Sequence, residues 1–160
     1  MEISKGILLP DQRGMFFEEF ELGQRVITPG RTITETDIVN FAGLSGDFYQ
    51  LHTDAEYGKT TPYGQRIAHG VLVLSIATGL TAQTGVLEGT ALAFREINNW
   101  KFVLPVFIGD TVHAQLEVIE TKPLPRIDGG SVRIKVEIKN QDNKVVMKGI
   151  WLILVMSKSK

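Results

Sequence analysis

The sequence predicts a single α+β domain in which an antiparallel sheet wraps one long central helix. Residues 69–84 are apolar or small on all sides, which is typical of a helix that is buried all round. The segments that follow are rich in β-branched and aromatic residues, and short turn sequences separate them. A chain of 160 residues is long enough for one domain with a substantial core, and nothing in it indicates a second.

The composition argues against several classes of function. The formal charge is -1, and the lack of a long Lys/Arg cluster argues against a nucleic-acid partner or an electrostatic attachment to membranes. Without Cys, the chain has no disulfide, thiolate metal site or cysteine nucleophile. The apolar run before Pro10 is too short for a signal peptide or a spanning helix, so we expect a cytoplasmic protein.

The first elements are an irregular arm and a short strand. Residues 1–14 mix polar, Gly and Pro positions without helical or strand periodicity, which predicts the arm. Residues 26–32 favour a short strand, although the turn-prone pair Pro29-Gly30 lies inside it.

Helix signals come next. Thr34 with an acid three positions later, Asp37, is typical of a helix start, and Gly43 predicts the end of that helix. Residues 53–56 can cap another short helix, and the long apolar helix is expected to begin near Ala68.

The second half predicts the sheet. Its strands are expected at 92–103, 111–120, 131–139 and 145–155. Because their connections carry turn chemistry, we expect an antiparallel meander.

Asp47 and His52 are the first candidates for chemistry. They are five positions apart and converge if the intervening residues bulge as a loop. A carboxylate can accept a proton from water or orient a ring, and an imidazole can move a proton near neutral pH. The alternative is that Asp47 caps a turn and His52 is an ordinary surface residue.

The head of the apolar helix offers a different group. The free N–H groups of a first helical turn, with Gly70 permitting close approach, suit a carbonyl that gains negative charge. The alternative is that Gly70 only lets the helix start against neighbouring backbone. His69 would oppose the helix dipole if protonated, so we expect it to be neutral and structural. Ser75 and Thr78 follow on the same helix and could reach the pocket, but buried hydroxyls usually bond back to the helix.

Metal binding is not expected. The chain has three His, and with the nearby acids they form no recognisable ligand spacing. His113 lies in an alternating strand pattern without an acidic partner, which favours an exposed strand position.

Six short groups of residues, in order over nearly the whole chain, carry a family resemblance. They are 17–23 (FEEFELG), 41–47 (FAGLSGD), 52–54 (HTD), 64–70 (GQRIAHG), 101–106 (KFVLPV) and 109–112 (GDTV). Together they resemble the MaoC-like dehydratases, the (R)-specific enoyl-CoA hydratase group. The resemblance implies a hotdog fold, an antiparallel sheet wrapped around a central helix.

The resemblance also implies an activity. The family reaction is the reversible addition of water to a trans-2-enoyl thioester, with an (R)-3-hydroxyacyl product and without a cofactor. Asp47 and His52 match the family's catalytic pair, and the Gly70 N–H matches its oxyanion position, with His69, Ser75 and Tyr49 as further candidate contacts of the substrate. The implied substrate is an acyl-CoA, and the expected assembly is a homodimer or a higher homo-oligomer, which an exposed sheet edge also favours.

The catalytic loop departs from the family pattern. The family usually has Asn-Pro between the pair, where this chain has Tyr49 and Gln50, and it commonly has Ala where this chain has Gly58. A Pro fixes backbone shape and an Asn bonds locally, so the loop is expected to be reset here. Two alternatives to a hydratase therefore stay open, an acyl-CoA thioesterase and a non-catalytic module that binds acyl thioesters.

Overall fold

The computed structural model describes residues 13–158, so most of the predicted N-terminal arm lies outside the described residues. In chain order, the helices are α1 (Glu35–Ser45), α2 (Gln50–Thr53), α3 (Ala55–Thr60) and α4 (Gly70–Gln83). The strands are β1 (Arg25–Ile27), β2 (Arg31–Thr32), β3 (Ala91–Phe102), β4 (Thr111–Leu124), β5 (Gly129–Lys139) and β6 (Val145–Met156). Short 3-10 turns at Phe17–Glu19 and Pro125–Ile127 complete the list. This set of helices and strands confirms the predicted α+β class.

The sheet is antiparallel and has the strand order β1-β4-β5-β6-β3, with β2 paired to β4. The predicted meander is correct for β4, β5 and β6, but it is wrong for β3, which pairs with β6. The chain after β3 is held elsewhere, because the Ala68 N–H donates to the Val106 carbonyl at 2.8 Å and Ile67 bridges Phe107. Turn chemistry shows where a strand ends, but it does not show on which side of the sheet the next strand joins.

Helix α4 packs one face against the sheet. Its buried residues are Leu72, Val73, Ile76, Ala77, Leu80 and Thr81. The expected burial on every side is wrong for the single chain, because the opposite face remains exposed: Val71, Ser75, Thr78, Gly79 and Ala82. The exposed residues are mostly small, so the sequence looks apolar all round although the sheet covers only one side.

The edge strand β3 is exposed over most of its length. Its large apolar side chains include Leu92, Phe94, Ile97 and Phe102, each between 41% and 55% exposed. In contrast, the three meander strands contribute many fully buried residues to the core, such as Val112, Val132, Val136 and Trp151.

The elements before α4 confirm some boundaries and correct others. The predicted strand at 26–32 is two strands, because Pro29 and Gly30 interrupt the ladder between β1 and β2. Helix α1 begins as predicted, with Thr34 and Asp37 forming a capping box. It does not end at Gly43 but continues to Ser45, and Gly46 caps it with a left-handed backbone of φ +77°.

No helix within residues 13–158 combines the length and the apolar character that a membrane-spanning helix requires.

Candidate functional site

Asp47 lies on the loop between α1 and α2, immediately after the left-handed Gly46. Its carboxylate oxygen Oδ1 accepts the Tyr49 N–H at 3.2 Å, and its own N–H donates to the Ser45 hydroxyl at 3.2 Å. The side chain is exposed in the single chain. The loop therefore presents a carboxylate whose second oxygen is available for chemistry.

His52 lies on α2, a single helical turn that the sequence did not predict. Its Nδ1 is 2.8 Å from the Ile67 carbonyl oxygen. Because a carbonyl can only accept, Nδ1 carries the proton, and in the neutral ring Nε2 keeps its lone pair. The Ile67 carbonyl thus fixes both the orientation and the tautomer of the imidazole.

The environment of His52 favours the neutral ring. Burial lowers the pKa of His52 below its ordinary value, and His69 acts in the same direction. The bond to Ile67 and the charge of Asp47 oppose this effect but do not overcome it. At neutral pH the ring is therefore a base with a free nitrogen.

His69 precedes the first residue of α4 and is only 2% exposed. Its Nε2–H donates to the main-chain carbonyl of Asp47 at 2.9 Å, and its ring stacks on His52 with centroids 3.9 Å apart. Its Nδ1 is buried and has no hydrogen-bond partner among the described residues. His69 is therefore close to the candidate pair but does not open to the solvent.

Asp47, His52 and His69 form one cluster. Potential ligand atoms of the three side chains lie within 4.8 Å of one another. One nitrogen of each ring is engaged by a carbonyl, and the two rings stack on each other. The absence of a metal stays a prediction, and the convergence suits proton transfer between neighbours.

Gly70 opens α4 beside a cavity of about 360 Å³. The His69 side chain does not cap the helix, and the first N–H groups of a helix have no acceptor within it. The cavity is lined by His52, Tyr63, Ile67, Ala68, Gly70, Val71, Phe102, Val103, Leu104, Pro105, Val106 and Met147. An imidazole and a helix start thus face one space.

The glycine at position 70 leaves room for an aromatic ring that the sequence did not reveal. A Cβ there would lie 2.6 Å from Cε1 of the Phe102 ring. Phe102 and the carbonyl of Ile67 are both parts of the site that the sequence analysis missed. Phe102 does lie in the 101–106 motif, whereas a backbone carbonyl leaves no signal in a sequence.

The other candidates lie farther from the pair. Ser75 donates to the Val71 carbonyl at 2.9 Å and lines a separate cavity of about 320 Å³ between α1 and α4. Thr78 donates to the Ser75 carbonyl at 2.7 Å. His113 lies on β4 opposite Lys139, and burial followed by this lysine lowers the pKa of His113. None of these three side chains lines the cavity of His52 and Gly70.

The unusual pair Tyr49-Gln50 is accommodated by other bonds. The Thr53 hydroxyl lies 3.0 Å from the Phe48 carbonyl and 3.2 Å from the Tyr49 carbonyl, and it fastens the loop to α2. The Tyr49 ring meets His52 edge-on at a centroid distance of 6.4 Å. The Tyr49 ring also meets the Tyr57 ring of α3 edge-on at a centroid distance of 6.4 Å, and the nearby Tyr49 phenol raises the pKa of Tyr57.

Gly58 also has a local explanation. A Cβ at this position would lie 2.7 Å from the Arg66 backbone nitrogen and 2.8 Å from the Gln65 carbonyl carbon. Helix α3 therefore sits closer to the chain at 65–66 than an alanine would permit.

Comparison with known proteins identifies relatives of this chain. The family described as MaoC like domain matches residues 18–141. The Protein MaoC of Klebsiella aerogenes is 41% identical over 101 residues, which are 63% of this chain and only 30% of that protein. The (R)-specific enoyl-CoA hydratase of Aeromonas caviae is 34% identical over 113 residues, 69% of this chain and 81% of that enzyme.

Solved structures share the fold. A monoamine oxidase regulatory protein from Archaeoglobus superposes with a TM-score of 0.86 at 39% identity, covering 92% of this chain and 97% of that one. A Mycobacterium tuberculosis protein described as a double hotdog fold superposes with a TM-score of 0.80 at 18% identity, over 92% of this chain and 46% of that one. The sheet and α4 therefore form a hotdog fold.

Proposed function

Because the chain belongs to the MaoC-like dehydratase family, we propose that it catalyses the reversible hydration of a trans-2-enoyl-CoA. The reverse reaction is the dehydration of an (R)-3-hydroxyacyl thioester. The observation that carries the proposal is the convergence of the Asp47 carboxylate and the His52 imidazole, beside a cavity that His52 shares with Gly70. The proposed catalytic residues are Asp47 and His52.

Hydration of an enoyl thioester needs three groups. A base must take a proton from water as the oxygen attacks C3, an acid must give a proton to C2, and a donor must stabilise the enolate-like thioester oxygen. We propose that Asp47 and the neutral His52 share one proton: the pair takes it from the water as the oxygen bonds to C3, and returns it to C2. The free N–H of Gly70 is the proposed donor to the thioester oxygen. This division requires no metal, and we propose none.

The stereochemistry follows from the arrangement of the pair. The polar atoms of Asp47 and His52 lie within 4.8 Å of each other, so we propose that hydroxyl and proton are delivered to the same face of the double bond. Such syn addition gives the (R)-3-hydroxy product.

A second cavity has the apolar lining that an acyl chain would need. It measures about 530 Å³ and, like the cavity of His52, it borders α4 and β3. Its walls include Ala82, Leu87, Phe94, Trp151 and Ile153. We propose that the acyl chain extends from Gly70 along this groove between helix and strand.

We also propose that the protein is a homodimer. The edge strand β3 exposes Phe94, Ile97 and Phe102, and α4 exposes a stripe of small residues. Unpaired strand edges and contiguous apolar surfaces are usually covered in soluble proteins. We propose that a second copy pairs along β3 and covers this exposed apolar surface.

Crotonyl-CoA tests the reaction. We expect its enoyl absorbance to fall without release of free thiol, and we expect the product to be (R)-3-hydroxybutyryl-CoA by chiral analysis. Release of thiol would identify a thioesterase instead. Binding of the thioester without any turnover would identify a non-catalytic module, the alternative raised by Tyr49 and Gln50.

A further inference from the structure

His69 contacts every part of the candidate site although it does not line the cavity of His52 and Gly70. We propose that His69 is a positioning residue that holds the Asp47 main chain, the His52 ring and the Gly70 N–H at fixed separations. This inference rests on the proposed hydratase function. It deepens that function by naming the residue that keeps the reacting groups aligned.

The first contact restrains Asp47. Every residue from 43 to 50 is exposed in the single chain, and the bonds within this loop span only a few positions. The bond from the His69 Nε2–H to the Asp47 carbonyl joins the loop to a residue 22 positions later, at 2.9 Å. It therefore ties the carboxylate-bearing residue directly to the buried head of α4.

The second contact restrains His52. The two imidazoles stack at a centroid distance of 3.9 Å and an angle of 29°, and the Phe41 ring supports His69 at 5.0 Å. Ile67 fixes the edge of the His52 ring, and His69 fixes its face. Together they leave His52 one orientation, in which Nδ1 is bonded to Ile67 and Nε2 is free.

The third link is covalent. Gly70 follows His69 in the chain, so the peptide group between them carries the proposed oxyanion donor. A shift of His69 would move the N–H of Gly70 along with the Asp47 carbonyl and the His52 ring. One residue thus sets the relative positions of base, acid and donor.

The hydrogen bonds exclude His69 itself as an acid or base. Its Nε2–H is engaged by a carbonyl, and its buried Nδ1 has no partner among residues 13–158 that could stabilise a second proton. The ring is also 2% exposed and does not line the cavity. It acts through its neighbours and does not touch the substrate.

Two variants separate the two side-chain contacts. His69→Phe keeps a ring to stack on His52 but removes the donor to Asp47, whereas His69→Gln keeps a donor near the position of Nε2 but removes the ring. Misplacement of reacting groups by about 1 Å can cost about 10²-fold in rate. We expect His69→Phe to lower kcat for crotonyl-CoA by about this factor with KM nearly unchanged, and His69→Gln to recover part of the loss.

Val73→Ala is the matched control for a loss of packing. Val73 is fully buried on α4, its N–H donates to the His69 carbonyl, and it lines none of the cavities described above. If His69 positions the site, kcat should fall far more in His69→Phe than in Val73→Ala when the two variants lower the Tm by similar amounts. Equal losses of kcat in His69→Phe and Val73→Ala would overturn it.

Imidazole NMR provides a readout that is independent of activity. The chain has only three His, so the His52 signals can be assigned with a His52→Gln variant. Asp47, Tyr49 and His69 lie around the His52 ring. We expect the nitrogen shifts of His52 to report a single tautomer in the wild type and a mixture in His69→Gln, which loses the stacked ring. An inactive wild-type protein would refute the hydratase proposal, and His52 nitrogen shifts that do not change in His69→Gln would overturn the role of His69.

Discussion

Asp47→Asn removes one charged oxygen from the site and leaves the loop that carries it intact. The amide oxygen of Asn can accept the Tyr49 N–H that Oδ1 accepts at 3.2 Å, and the bond from His69 goes to the main-chain carbonyl. Since Asp47 is exposed, the free energy of unfolding should change by less than about 0.5 kcal/mol. The substitution therefore tests chemistry and not folding.

The expected loss of rate is large. A positioned acid or base contributes about 10²–10⁴-fold, which corresponds to about 2.7–5.4 kcal/mol of activation free energy. An amide cannot take the proton from water, so kcat for the hydration of crotonyl-CoA should fall by this factor. The apolar wall proposed for the acyl chain is unchanged, and KM should therefore stay within a few-fold.

The assay compares kcat and KM with those of a charge-matched control. Glu56→Gln removes the same charge from α3, where Glu56 is exposed and pairs only with Lys59 at 2.6 Å. This control should retain wild-type kcat because an exposed ion pair contributes little to the fold and nothing to the cavity. If Asp47→Asn retained wild-type turnover as well, Asp47 would not be a catalytic residue.

Three further outcomes are expected. Burial lowers the pKa of His52, and the neutral ring is the proposed active form. The plot of kcat/KM against pH should therefore fall on the acid side with a midpoint below about pH 6.5. A midpoint above that value would contradict a buried base. Gly58→Ala should lower the free energy of unfolding by about 1–3 kcal/mol in urea, since the added methyl meets the backbone of Arg66, and an unchanged midpoint would show that α3 moves freely. Ile97→Lys should yield folded monomers in sedimentation experiments, because a charge would be placed in the proposed contact along β3; a dimer that persists would place the interface elsewhere.

Local chemistry made several elements of the fold predictable. The capping residues Thr34 and Asp37 fix the start of α1, and turn sequences fix both ends of β5 and β6 to within two residues. The end of α1 was misjudged because Gly43 is tolerated inside a helix, whereas Gly46 adopts the left-handed conformation that ends it. The position of β3 depends on contacts between distant residues, so no local pattern could show it.

The sequence singles out the residues of the candidate site but not its geometry. It pairs Asp47 with His52, and the structure brings their polar atoms within 4.8 Å. The proposed role of His69 has no sequence signal, because stacking and a bond to a main-chain carbonyl leave no spacing rule in the sequence. Likewise, Ser75 seemed able to reach the pocket from its helical spacing, yet its side chain lies on the side of α4 that faces α1.

The position of β3 in the sheet also constrains the order of folding. Ala91 pairs with Val155, and Phe102 pairs with Met147. Strand β3 can therefore form its hydrogen bonds only after β6, near the end of the described chain, is in place. Closure of such a long loop is entropically costly and slow compared with local pairing. The meander of β4, β5 and β6 should therefore nucleate first, and β3 should dock last. Phe102 at the end of β3 is a wall of the cavity, so a nascent chain acquires its substrate site only when synthesis has passed β6.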